Sequence, residues 1–203
     1  MLTKLKKKVQ AMLATEATAT HEIGLTPNMV SVIGIVSAFL SAFVYAEWQV
    51  HTFYLLLGTL LLLFSGFCDA LDGALARLYH KTTVFGGFLD SLLDRYADAV
   101  VYTGIIVGGL CDALWGLAAL IGSLLVSYSR AKAEAAGIGM ESIGLAERAE
   151  RIIILAIASI AATFWQPKTA MNAGMILLAI LSNLTVLQRS LHVHNKLKKK
   201  AIN

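Results

Sequence analysis

The sequence predicts an all-α integral membrane protein, with six transmembrane helices preceded by an N-terminal amphipathic juxtamembrane helix. Three observations predict it. The 203 residues are 57% hydrophobic and only 15% charged, whereas an average soluble domain is about 25% charged. Mean hydropathy is +0.70. The apolar residues gather into six stretches, about 29–47, 52–74, 86–110, 113–133, 152–165 and 171–190, enough for about six spans of about 20 residues. This composition excludes a disordered chain, a soluble nucleic-acid binder and a disulfide-stapled secreted domain. The two cysteines, Cys68 and Cys111, have neither metal nor disulfide spacing.

The elements follow in chain order as one membrane domain over 1–203, with a juxtamembrane helix at 1–25 and a six-helix bundle at 26–196. Lys4, Lys6, Lys7 and Lys8 surround Leu2, Leu5, Val9, Met12 and Leu13 at helical spacing. That pattern suits a helix lying on an anionic bilayer surface, and no apolar core of a cleavable signal follows it. Thr26-Pro27-Asn28 opens the first span, with proline where a helix can start. Connections are short. The longest break, 135–147, holds Gly137, Gly139 and Gly144, and Lys196, Lys198, Lys199 and Lys200 form a basic flank at the far end.

Basic residues set the orientation. With the N-terminus inside, the inner loops hold Arg77 and Lys81, then Arg130, Lys132, Arg148 and Arg151. Only Lys168 falls in an outer loop, while Trp48, Trp115 and Trp165 all fall at the outer edge, where an aromatic belt belongs. Both termini are expected on the cytoplasmic side of a multi-pass cell-membrane protein.

Acids break the apolar pattern. Asp69, Asp72, Asp90, Asp94 and Asp98 sit in or beside two spans, where each Asp costs about 2.5–3.5 kcal/mol at a helix centre. Asp69 and Asp72 are spaced i, i+3, and Asp90 and Asp94 i, i+4, so each pair shares a helix face. Two such helices side by side would aim four carboxylates at one point. Hard oxygen ligands without His or Cys suit Mg²⁺ or Mn²⁺. Two divalent ions balance four carboxylates better than the two bases nearby in sequence, Arg77 and Arg95; ion pairing with those bases is the bland alternative. Gly73 would let a bulky ligand approach, and Arg77 shares a face with Gly73 and Asp69. A guanidinium beside metal-bound carboxylates suggests a phosphate between them. Asp98 reads as a supporting residue or a partner of Arg95.

Together these residues spell DxxDGxxAR-x8-GxxxDxxxD, from Asp69 to Asp94. The pattern resembles the CDP-alcohol phosphatidyltransferase family, and the resemblance runs over nearly the whole chain. It implies six membrane helices after a juxtamembrane helix, a homodimer, and transfer of a phosphatidyl-type group from a CDP-lipid to an alcohol with release of CMP. It further implies that Asp69, Asp72, Asp90 and Asp94 hold two Mg²⁺, with Asp94 also the general base. Gly73, Arg77 and Thr83 match CDP-lipid positions, and Thr26, Pro27, Asn28 and Met29 match a stretch near the nucleotide.

The acceptor is read from the inner side. Arg130 and Lys132 end the fourth span, Arg148 and Arg151 begin the fifth, and Arg189 lies near the inner end of the sixth. Bases converging beside an acidic metal site suggest a phosphorylated acceptor, with ordinary positive-inside bias as the alternative. The SYxxAxAExxG segment and the ERxER that follows resemble the inositol phosphate branch of the family. There the positions of Arg130, Arg151 and Arg189 hold the sugar phosphate, and the product is phosphatidylinositol phosphate or its archaeal ether counterpart. Two rivals stay open: a phosphatidylglycerophosphate synthase using glycerol 3-phosphate, and a non-enzymatic intramembrane cation transporter.

Overall fold

Each of the six apolar stretches forms a helix, and the helix ends coincide with caps or turns. The structure is a computed structural model and describes residues 13–140 and 143–200. Among these, α1 covers residues 13–22 and no strand occurs. It is followed by α2 (Pro27–Ala46), α3 (Phe53–Leu78), α4 (Val84–Val107), α5 (Ala113–Ala135), α6 (Arg148–Phe164) and α7 (Pro167–Lys200).

The Thr26 hydroxyl accepts from the Met29 N–H at 3.3 Å to cap α2, and Pro27 occupies the first turn, where an N–H has no helical partner. Thr83 caps α4 by accepting from the Gly86 N–H at 2.9 Å. α3 closes on His80 at φ 52°, with the Lys81 N–H donating to the Ala76 carbonyl at 2.8 Å. α4 closes the same way on Gly109 at φ 65°, with the Leu110 N–H on the Ile105 carbonyl at 3.1 Å.

α2 packs along both α3 and α4, and α7 along both α5 and α6; α3 meets α6 and α4 meets α5. α3 and α4 touch each other only slightly. The two acid-bearing helices are therefore not packed side by side, as the spacing argument supposed. Small residues explain it, because they let helix backbones approach closely in a bilayer protein. A Cβ on Gly104 of α4 would lie 2.2 Å from the Ala42 carbonyl oxygen of α2. α2 also carries Gly34 against Cys68 of α3. Buried hydroxyls bind across helix seams too: Ser41 of α2 donates to the Gly58 carbonyl of α3 at 2.7 Å, and Ser159 of α6 to the Leu55 carbonyl of α3 at 3.0 Å.

Among the described residues four helices, α2, α3, α5 and α7, are long and apolar enough to cross a membrane. α4 carries Asp90, Asp94, Arg95 and Asp98, and α6 has 17 residues. α7 has 34 residues, about 51 Å at 1.5 Å per residue, so it continues well past its apolar stretch into the C-terminal lysines. At the expected outer edge the Trp48 indole donates to the Gly108 carbonyl at 2.7 Å and ties the α2 exit to α4. Of the expected N-terminal helix, residues 1–12, with all four of its lysines, lie outside the described residues. α1 buries Ala17 among Val30, Leu71 and Leu75, and stacks His21 on Tyr79 with ring centroids 3.7 Å apart.

Candidate active site

α3 contributes Asp69 and Asp72, and α4 contributes Asp90 and Asp94. One carboxylate oxygen each from Asp69, Asp72 and Asp90 lies within 4.8 Å of the other two. Asp72 is buried, and the Ser31 hydroxyl of α2 donates to it. Asp94 stands outside this trio. One of its oxygens lies 2.7 Å from Arg148 Nη1 and the other 3.7 Å from Arg95 Nη1. All four acids line one cleft together with Ser31, Ser65 and Arg148.

The donors are all hard oxygens, and three carboxylates crowd one point with a single hydroxyl among them. Like charges so close need a cation. The only guanidinium against this trio among the described residues is Arg148, whose Nη1 lies 2.6 Å from Asp69. Nη1 is buried and makes ion-pair contacts without the alignment of a hydrogen bond. The residues present thus fit a divalent hard cation.

The residues expected at the CDP-lipid do not line this cleft. Arg77 is exposed and forms no ion pair among the described residues; its guanidinium folds over Gly73, where a Cβ would meet Nη1 at 3.2 Å. Thr83 and Thr26 are exposed helix caps, while Pro27, Asn28 and Met29 form the first turn of α2. Arg95 lies on the Ser91 carbonyl and near Asp94.

A second cavity of about 120 Å³ adjoins the first and shares Asp94 and Arg148 with it. Arg95, Arg130, Arg151 and Arg189 also line it, facing Asp98 and Glu147. Arg151 and Arg189 are only 3% and 2% exposed. Arg151 donates to the Ala146 carbonyl at 3.0 Å and to Asp98 at 2.8 Å, and its Nε has no hydrogen-bond partner among the described residues. Arg189 donates to the Ile143 carbonyl at 2.8 Å and the Val126 carbonyl at 2.5 Å, with Glu147 3.7 Å from Nη2. Arg130 is exposed and donates to Glu134 at 2.9 Å. Four of the five expected acceptor cations thus meet at one cavity. Lys132 does not; it lines a neighbouring groove of about 430 Å³ between α5 and α7, which shares Arg189 with that cavity. Another cavity, about 680 Å³, lies by the α5–α6 loop and the α7 tail. It lacks any pair of acids, so size alone would point away from the chemistry.

Sequence reasoning missed Ser31, the second contact of Arg148 and the partners of Asp98. Ser31 stands just past the Thr26–Met29 stretch, one turn beyond Pro27. Arg148, read as an acceptor residue, is also the cation against Asp69 and Asp94. Asp98 pairs with Arg148 and Arg151 rather than with Arg95. Its i+4 spacing from Asp94 was the available signal; its partners on α6 lie about fifty residues away and gave none.

Comparison with known proteins agrees with the motif. The family model for CDP-alcohol phosphatidyltransferase matches residues 24–190. The archaetidylinositol phosphate synthase of Pyrococcus horikoshii is 41% identical over 201 residues, covering 98% of this chain and 99% of that protein. The structure of Mycobacterium tuberculosis phosphatidylinositol phosphate synthase with CDP-DAG bound superposes with a TM-score of 0.78 at 30% identity, over 90% of this chain and 94% of that one. A structure of the same enzyme in complex with manganese and citrate gives 0.77 at 31% identity, over 89% of this chain and 88% of that one. With both aspartate pairs inside the matched residues, the chain belongs to the CDP-alcohol phosphatidyltransferase family.

Proposed function

We propose that the enzyme transfers a phosphatidyl-type group from a CDP-lipid to inositol 1-phosphate and releases CMP. The observation that carries a phosphorylated acceptor is the second cavity. Five guanidiniums and three carboxylates line it, a net of two positive charges, which matches a phosphate monoester of about −1.5 to −2 near neutral pH. The names of the P. horikoshii and M. tuberculosis relatives point to the same acceptor class.

Asp69, Asp72, Asp90 and Asp94 would hold two divalent ions, Mg²⁺ by preference. When bound, such ions neutralise diphosphate charge and that of the departing CMP. Manganese in the M. tuberculosis relative supports a divalent site. Arg77, exposed and folded over Gly73, would grip the CDP-lipid phosphates, with Thr83 and the Thr26–Met29 turn flanking the nucleotide. In the second cavity Arg151 and Arg189, held by backbone carbonyls, would orient the acceptor phosphate together with Arg130 and Arg148. Asp94 borders both cavities, so its carboxylate would take the proton of the acceptor hydroxyl. The alkoxide oxygen then bonds to the lipid-bearing phosphorus, and the bond from that phosphorus to the CMP oxygen breaks.

The same reading covers topology. The charges on α4 line the two cavities rather than the lipid face, and α6 is about 26 Å long at 1.5 Å per residue. Both helices would therefore cross the bilayer in one domain with six spans, with the juxtamembrane helix before them. Both termini and the active site would face the cytoplasm, and the enzyme would act as a homodimer.

The test is CMP release by purified protein in detergent with Mg²⁺, using ester and ether CDP-lipids. Inositol 1-phosphate, glycerol 3-phosphate, serine and free inositol are compared as acceptors. Release with inositol 1-phosphate alone is expected. Release with glycerol 3-phosphate alone would keep the acid site and discard the acceptor; no release with any acceptor would discard the enzyme reading.

A further inference from the structure

Asp98 is the third acid of a ladder on α4, one turn beyond Asp94, yet its carboxylate turns away from the acid trio. Oδ2 accepts from Arg151 Nη2 at 2.8 Å and from the Ser123 hydroxyl at 3.0 Å, and Oδ1 lies 3.4 Å from Arg148 Nε. One carboxylate thus ties α4 to α5 and to two arginines of α6. The far end of Arg148 reaches Asp69 at 2.6 Å and Asp94 at 2.7 Å. Arg151 keeps one buried, unpartnered donor, Nε, and lines the second cavity.

The geometry points to Asp98 as the positioning residue of the acceptor site. It sets the planes of two guanidiniums, so that Arg151 keeps its place in the wall of the second cavity, where the acceptor phosphate would sit, and Arg148 stays between the two cavities. This rests on the reading of the second cavity as the acceptor site. A carboxylate there carries a cost, because it repels the incoming phosphate. If Asp98 acted through charge alone, its neutralisation would tighten acceptor binding. Orientation predicts the opposite sign, because a rigid guanidinium fork loses its bidentate geometry when its anchor loosens.

The experiment is steady-state CMP release in detergent for wild type, Asp98→Asn, Arg151→Ala, the double variant and Ser123→Ala. Both KM values, kcat and Tm are measured. Asp98→Asn is expected to raise the acceptor KM by about tenfold or more, while the CDP-lipid KM stays within about threefold. The double variant should be little worse than Arg151→Ala alone, since both remove one coupled unit. Ser123→Ala, which frees one of the three bonds, should raise the acceptor KM by about threefold. An acceptor KM that is unchanged or lower in Asp98→Asn, additive effects in the double variant, or a uniform fall of all parameters with Tm overturns the proposal. If Asp98→Asn does not fold, an unchanged acceptor KM in Ser123→Ala overturns it. Wild type using only glycerol 3-phosphate would refute inositol phosphate as acceptor without touching Asp98, whose effect is then read on that acceptor. Wild type releasing no CMP with either overturns both.

Discussion

The acid cleft and the basic cavity meet at Asp94 and Arg148 but are built in opposite ways. The cleft takes its acids from two helices at short, regular spacing, so its chemistry is nearly local. The basic cavity takes arginines from four helices, α4 to α7, and anchors the buried ones on backbone carbonyls such as Ala146, Ile143 and Val126. Backbone anchoring suits a site that must keep guanidiniums in a half-apolar setting before any phosphate arrives, since a buried unpaired charge is costly. The acids instead meet mostly side chains, Ser31, Arg148 and Arg95 among them, which suits groups that bind cations.

The largest effects should come from the shared acid and from metal removal. Asp94→Asn should cut kcat by about 10³-fold, as loss of a general base typically does, while CDP-lipid still binds in an equilibrium assay. Turnover near wild type would sever the link between the two sites. Chelation should abolish CMP release and added Mg²⁺ or Mn²⁺ should restore it; activity persisting through chelation would make the cleft a structural ion-pair site.

Arg151→Ala comes next. Hydrogen bonds to charged groups contribute about 1.5–3 kcal/mol, so the acceptor KM should rise by about 10- to 100-fold and the CDP-lipid KM much less. Equal changes in both would mean that the two cavities are not functionally separate.

Gly104→Ala probes how α2 holds the cleft. The added carbon meets the Ala42 carbonyl oxygen, and overpacking of this kind costs about 1–3 kcal/mol. Tm should fall by several degrees, and Mn²⁺ affinity should weaken while the acceptor KM holds. A shift in the acceptor KM alone would place the strain on the wrong side of the molecule.

The smallest effect is expected at Lys132. Because it lines the α5–α7 groove rather than the basic cavity, Lys132→Ala should change the acceptor KM by less than about twofold, within the range of a surface charge. A tenfold rise would return it to the acceptor site.

Much of this was legible from residue spacing. Asp69 with Asp72 and Asp90 with Asp94 could be assigned to shared faces because helical periodicity relates residues three and four apart whatever the rest of the chain does. Thr26 and Pro27 start α2 as their chemistry dictates, whereas the cap that Thr83 places on α4 was not foreseen. The arginines were legible as a group but not as individuals. Arg130 and Lys132 are two residues apart on α5, so they point to different faces of one helix, and only one reaches the cavity.

The sequence by itself determined the helices, their order and the acid motif, because hydropathy, caps and i, i+4 spacing act within a few residues. Tertiary structure decided which cations face those acids. It placed α2 against both α3 and α4 through glycine contacts and brought Arg148 and Arg151 of α6 to Asp98 of α4. Those pairings join residues about fifty positions apart, and only helix packing sets such distances.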